Sequence, residues 1–386
     1  MQPMTEPARS ARRRALSLCA VAALTALGGA CRTAEAPTDA GGLADPAAAG
    51  TVVVESGATP SGPAAGTIIT AAPIASPAVT AGTPRPTAEA AADATRQKAA
   101  EQAAQMPRFE ASFGVAGSQP GQIMLPFDVA VDGDGNVYVG DSTGVQLFTL
   151  SGTLIRRIGE GTLPVAEGLA VAPDGRLYVA GHGPQVLIFD AGGNPAGTLG
   201  QAGEQPGQLK KPSGVTVDAA GNVYVADGGN ARVEKFGPDG RHLLTIGERG
   251  SQSGQFTAPR VVAVDGAGRI YVGSGDDFLV QRFNPDGTYL DTFGQGTLDE
   301  NLFRTSGIAI DAAGGRIYVS QSMSHAVQAF DLADPTRYLG VIGGHAGMTK
   351  GEFNGPGGLE VHDGLLVVAD TRNNRVQTFR LPEPTP

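Results

Sequence analysis

Six places in this chain recur at intervals of about 40–50 residues and carry most of the residue types from which a polar site could be built. They are Phe127-Asp128, Glu167-Gly168, Ser213-Gly214, Arg260-Val261, Ser306-Gly307 and Gly357-Gly358. Asp128 and Glu167 belong to consecutive repeats, so their carboxylates can approach one another and begin a metal or hydrolytic site; without an aligned third ligand they fit a solvated rim equally well. Arg260 can pair with Glu167 or Asp128, or offer a bidentate fork to a carboxylate ligand. None of the twelve positions is His. The five His, at 182, 242, 325, 345 and 362, lie elsewhere.

Other chemistry is excluded by spacing. Asp132-x-Asp134-x-Asn136 begins like a calcium loop, but Val137 stands where such a loop needs Gly and no Glu follows at the twelfth place, so a polar hairpin turn is expected. There is no Gly-x-Ser-x-Gly elbow and no phosphate-binding loop. No cofactor and no resident metal are expected.

The elements that must position these residues are short strands. GNVYVGD (135–141), GRLYVAG (175–181), GNVYVAD (221–227), GRIYVGS (268–274) and GRIYVSQ (315–321) repeat nearly word for word, and GLLVVAD (364–370) is a sixth copy with Val367 at the Tyr position. Around each copy, apolar and polar residues alternate at period two, as in half-buried strands. In residues 212–247, GVTV, NVYVA, RVEKF and HLLTIG form four strands, with Ala220-Gly221 and Pro238-Asp239-Gly240 as turns. One four-stranded blade cannot cover its own apolar faces; stacking blades around an axis does, so the sequence predicts an all-β propeller. Phe148, Phe189, Phe236, Phe283, Phe330 and Phe379 mark six third strands, but only five fourth strands follow, ending at Gly159, Gly200, Gly247, Gly294 and Gly343. The missing strand reads upstream, as RFEASFG (108–114). An amino-terminal strand that completes the last blade closes a ring of six and removes its exposed edges.

These residues resemble the NHL-repeat β-propellers over residues 108 to about 382. The resemblance rests on the PGQ entry (Pro120-Gly121-Gln122 and Pro206-Gly207-Gln208, reduced to Gly254-Gln255), on the VD-x-x-G-N-V-Y-V-A-D core, and on an Asp-x-x-Asn-x-Arg tail. That tail is intact as Asp227/Asn230/Arg232 and Asp370/Asn373/Arg375. The tail is expected to fix the loops between blades, since Asp and Asn bond local backbone. The resemblance implies a six-bladed ring with its inner strands starting at the six places above. Related propellers include a zinc lyase of the peptide-amidating type, which would need several His on the axis, and metal-dependent lactonases, which would want carboxylates and an Asn there. Some NHL propellers bind RNA.

Residues 1–30 read as a secretory signal: Arg12-Arg13-Arg14 precede an apolar run from Ala15 to about Gly29, too short to span a membrane, which takes roughly 20 apolar residues. Cys31, in LGGAC, resembles a bacterial lipoprotein attachment site, although Gly28 stands where Leu is usual. Of the two Cys, Cys19 lies inside the signal, so the mature chain has one thiol and no internal disulfide. Residues 31–106 are expected to form a low-complexity Ala/Pro/Thr-rich tether, with an r.m.s. reach of about 50 Å for a flexible chain. The propeller then occupies 107–382. The net charge of −10 becomes about −13 without the signal, and no basic stripe appears, which argues against nucleic acid as a partner.

Two functions fit. The first is a lipid-tethered, extracytoplasmic, monomeric binding module for a protein, peptide or cell-envelope ligand, using Phe127, Asp128, Glu167, Ser213, Arg260 and Ser306. The alternative is a channel enzyme, a lyase or hydrolase acting through Asp128, Glu167 and Arg260. The fold alone does not decide between them.

Overall fold

A computed structural model describes residues 96–97, 104–159, 163, 165–181, 183–274, 279–294 and 304–383. The signal segment, Cys31 and nearly all of the tether lie outside these residues. The described chain is all-β: six four-stranded antiparallel blades arranged around an axis. Blade one is Asp128–Val131, Val137–Asp141, Gly144–Phe148 and Leu154–Ile158. The inner strands of blades two to six are Gly168–Val171, Pro212–Val217, Pro259–Val264, Thr305–Asp311 and Pro356–His362.

Blade six is closed from the other end of the chain. Its sheet runs from Pro356–His362 through Leu365–Asp370 and Arg375–Arg380 to Arg108–Phe113. Arg108 pairs with Arg380 and Phe113 with Val376. Phe109 sits edge-on to Phe379 at 5.9 Å, and Glu110 holds Arg380 through two hydrogen bonds of 2.6 and 2.7 Å. The expectation of six blades with an amino-terminal closing strand is met.

One cross-strand pair explains why the repeat recurs. On the inner two strands, a small residue lies opposite each conserved Tyr: Ala130 opposite Tyr138, Ala170 opposite Tyr178, Thr216 opposite Tyr224, Ala263 opposite Tyr271 and Ala309 opposite Tyr318. The Tyr rings are at most 4% exposed and fill the clefts between blades, whose six apolar clusters form the core. Deleting one of the buried Phe rings, such as Phe236, would cost about 3–5 kcal/mol. Blade six departs from the rule: Glu360 lies opposite Val367.

Turns and loops are held by Asx geometry. In blade three, Asp218 Oδ1 accepts the N–H groups of Ala220 and Asn222, and Gly221 takes φ +82°, so the turn predicted at Ala220-Gly221 is a five-residue loop, 218–222, with a left-handed glycine at its fourth position. The Asp-x-x-Asn-x-Arg tail ties the incoming inter-blade loop to its own blade. Asp227 accepts the N–H groups of Lys210 and Lys211, Asn230 donates to Gly203 O, and Arg232 donates to the carbonyls of Glu204, Gln205 and Gln208. Asp370, Asn373 and Arg375 repeat the arrangement on residues 347–354.

Candidate functional site

The six inner strands surround a cavity of about 440 Å³ on the ring axis. Its wall includes Phe127, Asp128, Glu167, Ser213, Arg260 and Ser306, together with Arg304, Arg372 and Glu360. The strands approach so closely there that side chains are excluded. A Cβ on Gly168 would collide with the Ser213 carbonyl, one on Gly214 with the Arg260 carbonyl, and one on Gly307 with the Gly358 backbone. Four of the six blades therefore carry Gly at this level. Blade four has Val261, and blade one has Asp128.

Asp128 fits because Gly358 leaves room for it: a side chain at 358 would overlap the Asp128 carboxyl. Its Oδ2 accepts the Leu169 N–H of blade two at 2.8 Å and its Oδ1 accepts the Val129 N–H at 2.9 Å. The carboxyl thus touches three blades. Burial pushes its pKa up to about 7, against the pull of those two N–H groups.

Glu360 lies two residues further along its strand, at the level that holds Ala130, Ala170, Ala263 and Ala309 elsewhere. Burial, reinforced by the negative charge of Asp128, raises its pKa to about 8, and a hydrogen bond from the Val131 backbone lowers it only in part. Two carboxyl groups with raised pKa values therefore stand near the seam between blades six and one. The negative charge of Asp128 reaches Glu360. Glu167, the partner considered from the sequence, lines the cavity wall at the mouth level. Glu360 escapes a search confined to strand starts. The signal that locates it is Val367: where the Tyr of the repeat is lost, the small residue opposite is lost too.

The other predicted residues divide by what their side chains do. Ser213 Oγ lies 3.1 Å from the Arg260 carbonyl and 3.3 Å from that of Pro259, so its hydroxyl joins blade three to blade four. Phe127 accepts the Gly358 N–H through its carbonyl at 2.7 Å. Ser306 Oγ donates to Arg304 O at 3.2 Å on the exposed rim. Glu167 packs against Gly181, whose φ of +113° leaves no room for a side chain. Arg260 is half-buried in the wall, while Arg304 and Arg372 are exposed at the mouth.

None of the four described His lines the cavity. His242 bonds Glu234 at 2.7 Å, His345 bonds Glu352 at 3.2 Å, and His362 lies 3.5 Å from Asp363. His325 accepts the Gly355 N–H at 2.9 Å; burial, with help from Arg372, holds its pKa below the usual value. His182 lies outside the described residues. Among the described residues, no group of three or more His, Cys, Asp or Glu could hold a metal ion. The Asp132–Asn136 segment is a hairpin turn in which Asp132 Oδ1 accepts the Asp134 and Asn136 N–H groups at 3.0 and 2.9 Å.

Comparison with known proteins places the repeats. The NHL repeat matches residues 209–236 and 353–379, within blades three and six, where the Asp-x-x-Asn-x-Arg tail is intact. Among solved structures, a structural genomics protein of unknown function from Bacteroides thetaiotaomicron is similar over 71% of this chain and 73% of its own, with 16% identity and a TM-score of 0.55. A chain of a nidogen/laminin complex is similar over 64% of this chain and 89% of its own, with 18% identity and a TM-score of 0.51. A streptogramin B lyase is similar over 72% and 97%, with 14% identity and a TM-score of 0.50. At these identities the likeness is one of fold. The chain is a six-bladed β-propeller that carries NHL repeats.

Proposed function

We propose that this propeller is a binding module and that its ligand enters the axial channel from the mouth bearing Arg260, Arg304 and Arg372. The observation that supports this reading is the cavity itself. Its volume of about 440 Å³ lies within the ordinary range for small ligands, and charged groups line a wall otherwise made mostly of Gly, Ala and aliphatic residues with a few hydroxyl groups. Around it stand 24 antiparallel strands with no exposed ring edge, a rigid frame on which a site can be held. The ligand is a protein segment, peptide or cell-envelope component rather than nucleic acid, and the module acts as a monomer tethered outside the cytoplasm through lipid on Cys31.

The test is capture from a membrane and envelope extract by the mature chain, compared with the Arg260→Ala/Glu167→Ala double variant. The variant should fold and lose affinity by about tenfold, near 1.4 kcal/mol. Unchanged capture by a folded variant would move the site to the outer loops. Loss of acyl labelling in Cys31→Ser would support the tether, and retained label would refute it.

A second reading is favoured by one observation. Asp128 and Glu360 titrate near pH 7–8, which suits a general acid and base. On that reading the module is a channel enzyme of the lyase or hydrolase class, with Glu360 beside Asp128 in the role first given to Glu167. Stoichiometric metal in chelator-free protein, or turnover lost in Glu360→Gln, would support it over pure binding.

A further inference from the structure

The channel is ordered by charge along its axis. At the mouth stand Arg304, Arg372 and Arg260. One position inward is Asp128, and two beyond that level is Glu360, with Thr216 at the same level on the opposite blade. The far end narrows to aliphatic residues, Val171, Val217, Val264, Ile310 and Val361. The wall between is Gly and Ala at most blades, so the lumen is left to whatever enters it.

We infer that the channel takes the amino-terminal end of an extended peptide, its ammonium group inward beside Asp128 and Glu360 and its chain running out past the arginine mouth. This rests on the binding reading above and names the ligand class. An ammonium supplies the positive charge that the two carboxyl groups lack. The influences on them are burial, the backbone N–H groups of Leu169, Val129 and Val131, and, on Glu360, the charge of Asp128. A carboxylate end would find no counter-charge beside those two acids, whereas at the mouth it, or the peptide carbonyls, would meet the guanidinium groups. The length also agrees. From the level of Arg260 to that of Glu360, which aligns with Ala263, is three strand positions, or about 10 Å. An extended peptide covers ~3.3–3.6 Å per residue, so about three residues span the charged part of the channel. A bare divalent cation fits less well, because the arginines guard its approach and only two carboxyl groups would receive it.

The experiment is calorimetry on the mature chain at pH 7 with three probes: tri-alanine, N-acetyl-tri-alanine and tri-alanine amide. Tri-alanine should bind. Acetylation, which removes the ammonium, should weaken binding by about 100-fold, and amidation, which removes only the outer charge, by about tenfold or less. Asp128→Asn/Glu360→Gln should remain folded and lose tri-alanine to the same degree as acetylation does, and Glu360→Gln alone should weaken tri-alanine without a lowered melting temperature. Equal binding of the acetylated peptide, or a larger loss on amidation than on acetylation, overturns the orientation and the inference. So does calcium chloride binding that the double variant abolishes while tri-alanine gives no heat. If tri-alanine fails but capture from extract still depends on Arg260 and Glu167, the inference falls and the binding module stands; if both fail, both fall.

Discussion

Two of the carboxyl sites in this ring are built in opposite ways. In blade three, Glu234 is wholly buried in the middle of a sheet, where it meets Arg232 at 2.7 Å, His242 at 2.7 Å and the Thr245 hydroxyl at 2.7 Å. In the channel, Asp128 and Glu360 receive backbone N–H groups, and Glu360 also feels the negative charge of Asp128. Glu234 is removed from bulk water, and Asp128 and Glu360 are half-buried along the cavity wall. Only the first site surrounds its acid with cationic and hydroxyl partners. An assembled counter-charge, more than the degree of burial, separates the two. The contrast also follows the repeat. Glu234 stands where four other blades have Gln146, Gln281, Gln328 and Gln377; Gln146, Gln281 and Gln377 each bond a backbone pair in their entry loop, so the Glu234 cluster replaces one structural device by another. Asp128 and Glu360 replace Gly and Ala, which bond nothing.

The comparison breaks most sharply at Arg232. Arg232→Ala should destabilise the chain by about 3–5 kcal/mol, because it strands a buried charge and also releases three loop carbonyls; urea denaturation would measure it. A loss below ~1 kcal/mol would mean that Glu234 is not held by its pair.

Glu360→Gln should act in the other direction. The unfolded side chain titrates near 4.5 and the folded one near 8. Between those values the folded state keeps a proton that the unfolded state has released, so stability falls as pH rises through the window and levels off above it. Asp128 adds the same slope between about 4 and 7. The other charged groups on the cavity wall, Glu167, Arg260, Arg304 and Arg372, are common to wild type and variant. Removing the Glu360 charge should therefore flatten the profile and raise stability at pH 8 by ~1 kcal/mol or more, or roughly 2–4 °C in melting temperature. A variant less stable at pH 8 than the wild type would place a cation beside Glu360 and end the contrast.

Thr245→Val tests one bond of the satisfied cluster and should cost ~1 kcal/mol by the same denaturation assay. At the bottom of the scale, Asp174→Asn removes an exposed pair with Arg176 and should change stability by less than ~0.5 kcal/mol. A larger effect would show that solvent does not screen the blade-two turn.

The architecture was legible because it is written six times. Five Tyr-bearing strands, six Phe positions and a fourth strand missing at one end and present at the other require no tertiary information. The channel was legible in part for the same reason: alignment of the repeats puts Asp128 and Arg260 on the axis. What alignment does not reveal is which neighbour a side chain meets across a blade boundary. Glu360 and Asp128 are 232 positions apart and come together only when the ring closes. Ser213 is among the residues expected from the sequence to meet a ligand, and it lies against two carbonyls of the next blade, a contact set by how tightly Gly214 lets that blade approach.

The closing strand sets a schedule for synthesis. Arg108–Phe113 leaves the ribosome some 270 residues before Arg375–Arg380, its sheet partner among the described residues. At 5–20 residues per second that interval lasts roughly 15–50 s. Throughout it, a strand bearing Phe109 and Phe113 has no edge to join, and the first five blades must form as an open arc. The last blade to fold is thus the one that joins both ends of the chain, and the Asp128–Glu360 site, which straddles its seam with blade one, is assembled only at that step.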